Sequence, residues 1–187
     1  MTSILKVDNI KDSANNQAIS ISSGVATFAN TPVGLPANIT AGTTVTASGT
    51  EVDFTGIPST AIRITLIFMG VSLAANSQNG LVQLGTSSGF QTSGYLSNSH
   101  YGGAGVGATN GFSILFGGGA ANVVSGAIVI YNLGSNKFAS NHSAKYNQNN
   151  GLFGGGDVTL GGTLDRVRLR PTGNTSFDAG NLRLLIE

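Results

Sequence analysis

One stretch, Ile62 to Val71, constrains the fold of this chain more than any other. In an extended backbone Ile62, Ile64, Leu66 and Phe68 fall on one side, and Ile67, Met69 and Val71 on the other. Successive side chains of a strand point to opposite faces. A short run apolar on both faces, rich in β-branched residues and bounded by Pro58 and Gly70, therefore reads as a strand covered on both sides. Such a strand belongs at the centre of a β-sandwich.

The surrounding sequence agrees with that reading. Strand-like runs recur about every 8–12 residues with turn residues between them. They include Leu81–Gly85, Phe90–Ser97, Phe112–Phe116, Val123–Leu133, Val158–Leu160, Leu164–Arg170 and Leu182–Glu187. Asn136–Ser140 and His142–Asn147 read as weak strands, while Gly102–Gly111 and Gly151–Gly156 read as loops. Gly is 28 of 187 residues, about twice the usual share, which points to many strands joined by tight turns. No segment carries a capped helical period, a heptad or a repeat of 20–50 residues. The expected fold is all-β: an antiparallel, jelly-roll-like β-sandwich over residues 39–187, preceded by a short strand-rich segment over 1–38.

That first segment is the unusual part. Ile4–Ile10 is strand-like. Ala18–Ser22 and Val25–Ala29 flank Ser23-Gly24, a two-residue hairpin signal. Ser48-Gly49, between Thr43–Ala47 and Thr50–Phe54, gives a second one. A linker dense in Pro and Gly, Asn30–Asn38, closes the segment. Three small strands with one polar face each cannot bury enough apolar surface to fold alone. With no Cys in the chain to staple them, they need outside contacts, from the chain's own larger domain, from copies of themselves or from a larger assembly. Ile4, Val7, Ile10, Ile19, Ile21, Val25 and Phe28 are the side chains expected to bury area against neighbouring polypeptides.

Composition narrows the function classes. Charged residues make up 9% and the net charge is +1, which argues against nucleic-acid binding. No apolar stretch approaches the length of a membrane-spanning helix. The opening residues lack the build of a secretory signal, so the sequence predicts a protein made in a cytoplasm and not exported by the general route. The Asn-x-Ser/Thr triplets at Asn38, Asn141 and Asn174 carry little meaning on that reading.

Candidate chemistry is sparse. Arg166, Arg168 and Arg170 share one strand face, either as an anion stripe or as partners of Glu51 and Asp53 across strands. Glu51 and Asp53 share a face as well and could serve as a catalytic pair or hold a hard cation. His100 and His142 lack metal-ligand spacing and an acidic neighbour. They are expected in exposed loops with Tyr101 and Tyr146 nearby, so His100, Tyr101, Asn141, His142 and Tyr146, in segments 97–110 and 141–156, are the candidate ligand contacts. Gly105-Val-Gly107 lacks the helix a dinucleotide site needs, and Gly154–Leu160 echoes a calcium-binding nonapeptide only once. No Ser sits in a nucleophile elbow. The expectation is a protein that is not an enzyme and holds no cofactor or metal.

Several segments together carry a family resemblance. Met1–Lys11 and Ala18–Phe28 resemble the N-terminus of virion fibre proteins of tailed bacteriophages, especially phages of marine bacteria and cyanobacteria. Asp53–Pro58, Arg63–Thr65, Leu81–Gly85, Thr92–Tyr95, Leu160–Arg168 and Asn174–Gly180 are similar to a β-rich domain at the ends of such fibres. The resemblance implies a homotrimer in the virion, assembled in the host cytoplasm. Its N-terminal segment would attach to other virion proteins of tail, baseplate or capsid. Its C-terminal domain would face outward to host-surface glycans. The alternative within the same family is a non-adhesive capsid decoration or head fibre protein.

Overall fold

The structure, a computed structural model, describes residues 9–11, 17–23, 25–28, 39–76, 78–114, 116, 120–147 and 150–187. The chain divides into two compact units, Met1–Asn38 and Ile39–Glu187. Every regular element among the described residues is a strand, and every pairing is antiparallel.

In the first unit β1 (Asn9–Lys11), β2 (Gln17–Ser22) and β3 (Val25–Phe28) form a sheet in sequence order. Ser22 pairs with Val25, so the β2–β3 connection is the two-residue hairpin that Ser23-Gly24 predicts. Ser23 takes φ 51°, as a tight hairpin turn requires of its loop residues. Ile4 and Val7 lie outside the described residues. So do the side chains of Val25 and Phe28. Ile10 and Ile21 are exposed, and Ile19 is half-buried.

The second unit is a sandwich-like pair of sheets. The larger one contains β4 (Thr40–Ala41), β5 (Val45–Thr46), β7 (Arg63–Leu73), β10 (Leu96–Tyr101), β11 (Ala104–Ala108), β13 (Val124–Asn132), β14 (Lys137–Tyr146), β15 (Asn150–Thr159) and β17 (Phe177–Ile186). Its order is β11-β10-β15-β14-β13-β7-β17, with β4 and β5 both pairing β17 at the far edge. The smaller sheet contains β6 (Val52–Thr55), β8 (Gly80–Thr86), β9 (Gly89–Phe90), β12 (Phe112–Ile114) and β16 (Arg166–Pro171), in the order β12-β8-β16-β6 with β9 on β8. The chain changes sheet repeatedly, so the two layers are stitched together along their length. Ile64, Leu66, Phe68, Ile128, Ile130, Leu182 and Leu184 from one layer and Val82, Leu84, Phe112, Ile114, Val167 and Leu169 from the other form one buried cluster. Each such side chain contributes roughly 1.5–3 kcal/mol by leaving water.

β7 lies inside the larger sheet, between β13 and β17, but it is not covered on both faces. Ile64, Leu66 and Phe68 are buried, whereas Met69 is 63% and Ile62 59% exposed. The second layer packs on one side only. After Phe68 the strand bulges at Gly70, φ 65°, which turns Val71 and Leu73 back into the core.

Three further expectations are corrected. Ser48-Gly49 does not make a hairpin: β5 pairs with β17 in the larger sheet and β6 with β16 in the smaller. Gly49, φ 71°, turns the chain from one layer to the other, and its carbonyl accepts the Phe177 N–H at 2.8 Å. The two weak strands at 136–147 are one ten-residue strand, β14. The presumed loops are strands too: Ala104–Ala108 is β11, and Gly151–Gly156 lies inside β15. Gly is depleted from strands because it is entropically costly there and has no side chain to pack. Here close packing overrides that preference. A β-carbon on Gly154 would lie 2.1 Å from the Asn98 carbonyl oxygen and 2.4 Å from the His142 ring. One on Gly156 would lie 2.5 Å from the Leu96 carbonyl oxygen.

Candidate functional site

Because 97–110 and 141–156 are hairpin strands, neighbouring residues point to opposite sides of the sheet. The five sequence candidates separate accordingly. His100 and Asn141 stand on the outer face, and Tyr101, His142 and Tyr146 on the face toward the second layer. They do not form one cluster.

The inner group is structural. His142 is 3% exposed and sits mid-strand, not in a loop. Its Nε2 shares a 2.9 Å hydrogen bond with Ser99 Oγ, and its Nδ1 has no partner among the described residues. Burial pushes its pKa down to about 4, so the imidazole is neutral at pH 7. Gly154 leaves the room its ring occupies. The Tyr101 and Tyr146 rings tilt against each other at 4.9 Å. Tyr146 is buried, its hydroxyl bonds the Asn122 amide, and burial together with Tyr101 raises its pKa.

The outer face is different. Around Gly155 of β15, Asn98 of β10 and Asn141 of β14 are the direct cross-strand neighbours. Two residues back on β15, Phe153 is 63% exposed, with His100 on one side and Ser143 on the other. The Phe153 and His100 rings are stacked at 6.4 Å and 27°. His100 in turn lies over Gly105, where a β-carbon would come within 2.3 Å of the imidazole. Leu96 and Asp157 flank the other end of the patch. Leu96, Asn98, Gly107 and Gly155, with Thr109, Asn110 and Thr172, also line an open depression of about 940 Å³.

Phe153, Asn98 and Gly155 fall within the candidate segments 97–110 and 141–156 but are not among the five residues singled out there. The signal was Gly151-x-Phe153-x-Gly155-x-Asp157, a strand face with one aromatic between two glycines. Reading 151–156 as a loop concealed it.

Of the charged candidates, Arg168, Asp53 and Glu51 pair with one another. Arg166, Arg168 and Arg170 share a face of β16, and Arg168 lies directly across from Asp53. Its guanidinium donates to both Asp53 carboxylate oxygens at 2.6 and 2.8 Å, contacts the Glu51 carboxylate, and lies over the Phe90 ring at 4.0 Å. The Asp53 hydrogen bond is the main cause holding its pKa above the usual value. Arg166 bonds Asp165 at 2.9 and 3.0 Å. The cross-strand pairing is therefore what Glu51, Asp53 and Arg168 do. Among the described residues no three His, Asp or Glu side chains are grouped to hold a metal ion.

Compared with protein-family models, with curated proteins and with solved structures, the chain has no match.

Proposed function

We propose that the chain is a non-enzymatic structural protein of a bacteriophage particle, a trimeric fibre-type component. It is held on the particle through residues 1–38 and presents the 39–187 sandwich for adhesion to host-surface glycans. One observation carries the need for partners. In the β1–β2–β3 sheet none of the side chains whose exposure is described is buried, and Ile10 and Ile21 remain 46% and 42% exposed. A three-stranded sheet needs a packed face to be stable, and its apolar residues reach one by meeting other chains. Strand addition or intertwining would supply main-chain hydrogen bonds as well. The resemblance of the opening segments to virion fibre proteins supplies the kind of assembly.

Light scattering tests the oligomer. The full chain is expected at three times its monomer mass, and Ile10→Asp with Ile21→Asp is expected to give monomers with a folded sandwich. A full chain that stays monomeric, even when mixed with its particle proteins, would overturn the reading. Antibody labelling of purified particles tests the location independently. Labelled particles whose protein binds neither cells nor glycans would favour the non-adhesive decoration or head fibre alternative.

A further inference from the structure

We infer that the outer face around Phe153 and Gly155 is a binding subsite for an uncharged pyranose ring. The inference deepens the adhesion reading and rests on it only for the class of ligand. Its observations belong to the sandwich alone.

Phe153 is a large apolar ring in the middle of a strand, 63% exposed. A ring left so open is held in place by its neighbours. His100 stacks on it at 6.4 Å, and Gly105 leaves the space that lets the imidazole sit there. Along β15 the positions on the same face before and after it are Gly151 and Gly155, so no side chain of its own strand stands beside the ring. The result is an aromatic wall rising from a bare floor.

The floor is bracketed by amides. Asn98 and Asn141 stand on either side of Gly155, two interstrand spacings apart, which is roughly 10 Å between backbones. Gly155 lies two residues from Phe153, roughly 7 Å along the strand. A pyranose fits that frame with its C–H face against the ring and its hydroxyls toward the two amides. Each amide offers two donors and an acceptor, matching hydroxyls that both donate and accept. The adjoining depression of about 940 Å³ leaves room for a second residue of a chain.

The charge at the site selects among sugars. The residues lining the depression are all neutral. Asp157, exposed and two residues beyond Gly155 on the same face, repels anions. Lys145 lies at the other end, across from Gly151 and beyond Phe153. The depression beside Gly155 offers a carboxylated sugar no cationic partner among its lining residues, so the ligand is a neutral saccharide.

The test uses the full chain with lactose, maltose and mannobiose as neutral probes and sialyllactose as the acidic one, read by saturation-transfer difference NMR. At least one neutral disaccharide is expected to give signal concentrated on pyranose C–H protons, with a millimolar Kd. Phe153→Ala is expected to weaken it at least about tenfold, and Phe153→Tyr to retain it. Asn98→Ala and Asn141→Ala should each weaken it several-fold. Phe153 is exposed, so the alanine variant should melt at the parent temperature, which keeps a folding defect apart from a binding defect. Binding of neutral sugars untouched by Phe153→Ala, binding of sialyllactose alone, or no binding of any probe would overturn the inference. Trimer mass and particle labelling would be unaffected by any of these, so the site can fail while the virion assignment stands.

Discussion

The N-terminal sheet and the sandwich are written in the same alphabet. Ile19-Ser20-Ile21 in β2 and Ile64-Thr65-Leu66 in β7 both alternate an apolar residue with a hydroxyl. Both fold as antiparallel strands. Yet Leu66 is fully buried and Ile21 is 42% exposed. Alternation specifies a strand and the side it offers; a core requires a second layer on that side. The sandwich carries its second layer in its own sequence. None of the side chains of the short sheet whose exposure is described is buried, and on the proposed function that difference separates a part stable by itself from one completed by other chains.

The comparison can be broken first in the larger sheet. Gly154→Val would drive side-chain atoms into the Asn98 carbonyl and the His142 ring, and is expected to cost more than about 4 kcal/mol in urea unfolding. A variant as stable as the parent would show that β15 does not need its bare backbone. Leu66→Ala should lose about 4 kcal/mol, the upper part of the range for a fully buried leucine.

Acid gives the next largest effect. An ordinary histidine titrates near 6.5, whereas buried His142 titrates at about 4. As pH falls the unfolded chain takes up the proton first. The stability that His142 permits is therefore complete above 6.5 and declines between 6.5 and 4, by about 3 kcal/mol in all. Unfolding midpoints measured across that window should fall with pH, and His142→Gln should flatten the slope.

Arg168→Ala should cost about 1 kcal/mol, because its acidic partners are partly exposed and part of its worth is packing on Phe90. Arg168→Lys should restore only part of this, since an ammonium lacks the planar fork. At the bottom of the scale, Ile21→Ser should leave the sandwich's unfolding within about 0.5 kcal/mol of the parent while weakening self-association. A large loss of sandwich stability from that change would erase the contrast between the two units.

How much could be read beforehand followed the same physics. Strands with branched apolar residues, such as Val124–Asn132 and Arg166–Pro171, were legible because alternation and turn spacing are local. The Arg168 pairing was legible because Glu51 and Asp53 could share a face with the same spacing as the arginines. What misled was glycine. At Gly49 it turns a corner between layers, which looks in sequence like a hairpin. At 154–156 it admits close neighbours into a strand, which looks like a loop. Both depend on what lies across space. An exposed loop would bring Asn141 and His142 together as ligand contacts, whereas β14 places them on opposite faces. Phe153 and Asn98 became visible as partners only through the β10–β15 register.

One modest feature, the pair of two-residue strands β4 and β5 on the edge of β17, has a mechanical side. A pull transmitted along the backbone into residue 39 reaches them before any other part of the sandwich. They would peel from β17 one short rung at a time, until Ala47, which is buried, resists. Residues 39–46 would then pay out as slack, roughly 25–30 Å of cord, while the layers behind stay intact. If the particle holds the chain through residues 1–38, as proposed, residues 39–46 would serve as a built-in shock absorber.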